Sequence, residues 1–104
     1  MDAELIEHQK FTLENGAIIE VKIWRLPARA PERPHGLKYS LFYGRPGKRI
    51  VGYDNETGKG DHRHFGGVEQ PYRFTTFEAL LSDFWRDVQM EIANERSQAP
   101  HRKP

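Results

Sequence analysis

From Ala17 onward the chain alternates: in "AIIEVKIWRL", Ile19, Val21 and Ile23 fall on one side, and Glu20, Lys22 and Trp24 on the other. A period of two suits a strand with one buried and one wet face. Before it, Leu5 to Leu13 reads as a second strand, and "ENG" at Glu14 to Gly16 turns the chain between them. A three-residue loop with Gly16 in the left-handed conformation sets Phe11 opposite Ile19. It gathers Leu5, Phe11, Leu13, Ile19, Val21 and Ile23 on one face. "PARAPERPHG" has three prolines and no period, so it reads as a loop, with Arg29, Arg33 and His35 adding positive charge. Alternation resumes in "LKYSLFYG", with Leu37, Tyr39, Leu41 and Tyr43 on one face. "RPGK" turns it, and "RIVGYD" returns, so Leu37 to Asp54 forms a second hairpin. A short edge strand is expected around Asp61 to Phe65.

The period then changes. Phe77, Leu80, Leu81, Phe84, Val88 and Ile92 recur at helical spacing, while Arg86, Asp87 and Glu91 fall towards the other side. Thr75 as N-cap with Glu78 three residues later forms a capping box. The fold class is therefore α+β: an antiparallel sheet of four to five strands, built from two hairpins and covered on one face by a long C-terminal helix. Residues 1–95 form a single domain, and residues 96–104 a disordered polar tail. One helix covers one face, so the face bearing Trp24, Lys38 and Ser40 stays free for binding.

Composition narrows the chemistry. Of 104 residues, 37% are apolar and 30% charged, so the core is thin and leans on the 12% that are aromatic. The net charge of +1 excludes a histone-like chain but not a local basic patch. There is no cysteine, hence no disulfide and no thiolate nucleophile. No apolar run approaches a bilayer span and no signal-peptide pattern opens the chain, so a soluble cytoplasmic protein without a membrane partner is expected.

One segment cannot be core. "YDNETGKGDHRHFGG" holds four glycines, two histidines, a lysine, an arginine and three acids in fifteen residues. If Asp61 to His64 is extended, His62 and His64 share one face about 7 Å apart, and Asp61 and Arg63 share the other. Two histidines at that separation can flank a phosphodiester as base and acid, since their ordinary pKa of about 6.5 lies near working pH. Lys59, Arg63, Arg45 or Arg49 would offset charge on the phosphorane. With a ribose 2′-hydroxyl as nucleophile this is metal-independent RNA cleavage, which needs no cofactor. His62 is then the base, His64 the acid, and Asp61 an orienting group. Trp24 and Tyr39 are candidates to stack on bases. Histidine-x-histidine with a nearby aspartate also suits a metal, but no compelling third and fourth ligands are found among His8, His35 and His101, and no metal residue is assigned.

The order "VKIWRLP", "HGLKYSLFYGRPGKRIVGYDNETGKGDHRH", "PYRF" and "TFEALLSDF" resembles the TumE family of small prokaryotic toxins, from about Glu4 to Val88. The resemblance implies the toxin of a toxin–antitoxin module whose partner is a helix-turn-helix antitoxin. It makes Lys59, Asp61, His62, Arg63 and His64 the signature polar cluster, with no role attached to each. Two functions are expected on these grounds. One is an endoribonuclease acting through "GKGDHRH". The other is a non-enzymatic toxin or regulator that binds protein or nucleic acid through the free sheet face and basic loop, a homodimer being compatible with either.

Overall fold

The computed structural model describes residues 3–31, 33–56 and 60–98. Six strands succeed one another as a single open antiparallel sheet: β1 (Glu4–Thr12), β2 (Ile18–Arg25), β3 (Leu37–Arg45), β4 (Lys48–Asp54), β5 (His62–Phe65) and β6 (Val68–Pro71). Each strand pairs with the next, and helix α1 (Phe77–Gln98) closes the chain. The α+β class holds, with six strands in place of the expected four to five. The addition is β6, which is exposed along its whole length and so shows no apolar alternation. Its hairpin is legible in "FGGV": Gly66 and Gly67 have φ of 61° and 79°, as a two-residue type I′ turn requires at both central positions.

The first hairpin has the expected register, Phe11 opposite Ile19, with Gly16 at φ 85°. The Leu13 N–H donates to the Ala17 carbonyl at 2.8 Å and closes the loop. One side chain departs from the expected face. The register slips between Leu5 and Glu7, which sets Leu5 opposite Trp24 and away from the core.

The core lies between the sheet and α1. Ile19, Val21, Ile23, Tyr39, Leu41, Tyr43, Val51 and Tyr53 meet Leu80, Phe84 and Val88 of the helix, all fully or almost fully buried. The four tyrosine and phenylalanine rings among them are the bulk of a thin core. Thr76, not Thr75, caps the helix: its Oγ1 accepts from the Ala79 N–H at 3.0 Å. Glu78 sits in the first turn, where its charge suits the helix dipole. Asp87 is a second correction. It lies on the inner side of α1 and is fully buried, although the helical pattern places it towards the polar side. The helix runs to Gln98, and residues 99–104 lie outside the described residues.

Candidate functional site

On the face away from α1, cross-strand partners form two ladders. One reads His8, Lys22, Ser40, Asp54, His62, Pro71; the other reads Lys10, Glu20, Phe42, Gly52, His64, Glu69. His62 and His64 therefore stand side by side on the open face, as alternation along β5 predicts. Asp54 flanks His62 on β4, and Glu69 flanks His64 on β6.

Gly52 lies opposite His64 and Phe42. A Cβ there would come within 2.5 Å of Arg49 Cδ, so the missing side chain is what lets the arginine stem lie across β4. Its guanidinium Nη1 donates to Asp54 at 3.0 Å. Nη2 rests against the His64 imidazole, 2.7 Å from Nε2 and 3.2 Å from Nδ1. Glu69 approaches the same Nε2 at 2.7 Å and lies 3.9 Å from His62 Nδ1. Partial burial and the Arg49 cation lower the His64 pKa, against the opposing pull of Glu69 and Asp54. These surroundings favour the neutral ring. Of the two expected arginines, Arg49 joins the histidines. Arg45 turns to the Asn15 carbonyl and to Glu95 of the helix, at 3.1 and 3.7 Å.

Arg63 and Asp61 are on the covered side. Arg63 Nε donates to Asp87 at 2.7 Å and lies 2.9 Å from the Tyr53 hydroxyl. The Tyr53 hydroxyl itself donates to the same carboxylate oxygen at 2.5 Å. Burial works against the Asp87 charge, but the bonds from Arg63 and Tyr53 outweigh it and hold the carboxyl below its usual value. Burial and the adjacent Asp87 push the Tyr53 phenol well up, so it stays a donor. Arg63 thus pins the helix to β5 and is not within reach of a phosphate held by His62 and His64.

Asp61 anchors a different junction. It accepts from the Tyr39 hydroxyl at 2.6 Å and from His35 Nε2 at 3.0 Å. The Leu37 N–H donates to His35 Nδ1, which fixes the proton on Nε2. Arg33 donates to the Asn55 carbonyl at 2.7 Å, so the proline-rich loop is tied to the turn that leads into β5. Asn55 is itself fully buried, bonding the Tyr39 N–H and the Leu37 carbonyl as a strand residue would. Tyr39 is fully buried on the covered face, which removes it as a base-stacking residue. Trp24 does lie on the open face, part-exposed, with the Lys22 and Lys38 ammoniums 5.7 and 5.4 Å from its ring centroid. Lys59 lies outside the described residues.

Among the described residues, no group of three or more histidines and acids is arranged to hold a metal ion. Also among them, no helix is long and apolar enough to cross a membrane. Sequence reasoning missed Asp54 and Glu69 as partners of the histidines. Asp54 has the residue type of a turn former, and Glu69 belongs to β6, whose exposed side chains carry no period.

A six-stranded antiparallel sheet backed by one helix, with a cluster of histidines, acids and an arginine on its bare face, defines a small α+β protein. The model of the family described as "Toxin TumE" matches residues 2–92, and the chain belongs to that family. Membership makes it the toxin of a toxin–antitoxin system, with an antitoxin as partner. No curated protein and no solved structure matches the chain.

Proposed function

We propose that this toxin is a metal-independent endoribonuclease acting in the cytoplasm, with His62 and His64 as its acid–base pair. The observation that supports it most is the placement of both imidazoles on one open face with the Arg49 guanidinium beside them. In the proposed reaction one imidazole takes the proton of a ribose 2′-hydroxyl, and that oxygen attacks the adjacent phosphorus. The bond to the 5′-oxygen breaks, and the leaving oxygen takes a proton from the other imidazole. The products are a 2′,3′-cyclic phosphate and a 5′-hydroxyl. Arg49 exchanges Asp54 for the phosphorane oxygens, where negative charge accumulates. A base must start neutral. From the sequence His62 is the base, while the surroundings of His64 favour the neutral form that a base starts from, so either imidazole can take the proton. Glu69 orients the His64 ring, and Asp61 acts only at a distance, by fixing the start of β5.

A second reading has support of its own. Leu5, Ile6 and Phe11 on the edge strand β1 are exposed apolar side chains, which suit a protein partner. In that reading toxicity comes from occlusion, and the histidine cluster is a clamp without turnover. The antitoxin in either case is proposed to carry a helix-turn-helix domain.

The deciding experiment is growth arrest on induced expression of the wild type beside His62→Ala/His64→Ala, with total RNA examined from both cultures. Arrest with RNA fragmentation in the wild type alone is expected. Equal arrest in both with intact RNA would overturn the nuclease reading.

A further inference from the structure

Trp24 and its two lysines are used by neither the core nor the histidine cluster. The indole sits on β2, on the bare face, across from Lys38 and one ladder step from Lys22 and Ser40. Neither ammonium has a carboxylate within ion-pair distance among the described residues, whereas the nearby Arg25, Arg49 and His8 each do. Both ammoniums rest instead against the indole ring. A part-exposed aromatic with two cations outside any ion pair against its ring suits a nucleotide: a π-face for the base and positive charge for the phosphates on either side.

We propose that Trp24, Lys22 and Lys38 form a subsite for single-stranded RNA, and that the strand crosses β3 and β4 from this subsite to His62 and His64. The inference rests on the RNA-cleavage reading for its second half, the path to the histidines. Three strand spacings and one ladder step separate Trp24 from His62, about 16 Å. That matches a site of about four nucleotides, the low end for a small single-strand-binding sheet. Ser40 and Phe42 lie along the path, on the face that α1 leaves bare.

The energies favour exchange. Stacking a base on an aromatic is generally stronger than one cation–π contact at an exposed site. A base can therefore displace a lysine from the ring, and the released ammonium reaches the phosphate. A paired duplex gains nothing here, because its bases are already stacked on each other.

The test uses a labelled 2′-O-methyl pentanucleotide, which cannot be cleaved, titrated against wild type, Trp24→Ala and Trp24→Phe by fluorescence anisotropy. Trp24→Ala is expected to weaken binding about tenfold and Trp24→Phe much less. Lys22→Gln and Lys38→Gln should each flatten the dependence of log affinity on log salt by about 0.7. Binding of a blunt RNA duplex should be unchanged by Trp24→Ala. With cleavable RNA, Trp24→Ala should raise KM and leave kcat. Equal pentanucleotide affinity in wild type and Trp24→Ala overturns the subsite, even if RNA is cleaved. So does an effect of Trp24→Ala on antitoxin binding alone. Trp24-dependent binding with no cleavage by the wild type keeps the subsite and removes the nuclease reading.

Discussion

The run His62-Arg63-His64 sends two imidazoles to one face of β5 and a guanidinium to the other, so two charged clusters stand back to back across the same strands. On the open face, Arg49 bonds Asp54 and His64, and His64 meets Glu69, yet Arg49 and Glu69 remain substantially exposed. On the covered face, Arg63 and Tyr53 converge on a carboxylate with no exposed surface. The chemistry is similar, and the surroundings differ. Water can replace any partner in the first cluster, so its members can exchange partners for a substrate. In the second the carboxylate has no access to water, so losing Arg63 leaves a buried charge with only Tyr53 and the longer Arg86 contact at 3.4 Å. Burial thus separates a cluster that holds the fold from the one proposed to react.

That contrast is open to direct attack. Arg63→Leu strips Asp87 of its nearest cation and should lower the unfolding free energy by about 3–5 kcal/mol in urea. That is a large share of the roughly 5–15 kcal/mol of a small domain. A loss near that of a surface substitution would erase the distinction between the two faces.

Acid should reach the same pair. Because the folded-state pKa of Asp87 is lowered, its contribution is complete above the ordinary carboxylate value of about 3.9 and is lost as pH falls through the folded value. Thermal midpoints should drop steeply below about pH 4 in the wild type. The drop should be shallower in Arg63→Leu.

Gly52→Ala tests the open face. The new methyl displaces the Arg49 stem, and toxicity should fall on the order of a hundredfold from a misplaced cation. Stability should change by about 1 kcal/mol or less, since only an exposed side chain moves.

The gentlest test leaves the fold alone and reads one proton. Arg49→Gln should raise the His64 pKa, and Glu69→Gln should lower it further, in an NMR titration of the imidazoles. Each should alter stability by about 1 kcal/mol or less, as exposed ion pairs do. Movement of either pKa in the opposite direction would break the account of why the neutral His64 ring is favoured.

How much of this is legible in the sequence depends on which distance each feature spans. The first hairpin can be read to the residue, because an Asn-Gly turn and a clean period of two favour the register that sets Phe11 opposite Ile19. The side-by-side histidines come from alternation alone, as does the separation of Asp61 and Arg63 from them. What alternation cannot say is that the second pair faces the helix. The amphipathic pattern sends Asp87 outward, because an acid in a helix is normally solvated. Its burial is tolerable because Tyr53 and Arg63, far away in sequence, bond one of its oxygens and the neighbouring Arg86 the other. Arg49 reaches His64 through a register slip at Tyr43 and Gly44 and the bare Cα of Gly52, neither of which has a sequence period. Long-range pairing is where pattern reading ends.

The meander has a consequence for how the molecule comes into being. Every strand pairs with its neighbour in sequence, so the sheet has a low contact order and can grow hairpin by hairpin as the chain leaves the ribosome. Its lid is synthesised after all six strands. Until α1 emerges, Tyr39, Leu41 and Tyr53 face water, and Asp87 has not arrived to receive Arg63. The nascent chain therefore lays out its two histidines before it owns the helix that makes their strand permanent. Docking of α1, which follows all six strands in the chain, is the step that shuts this core away from water.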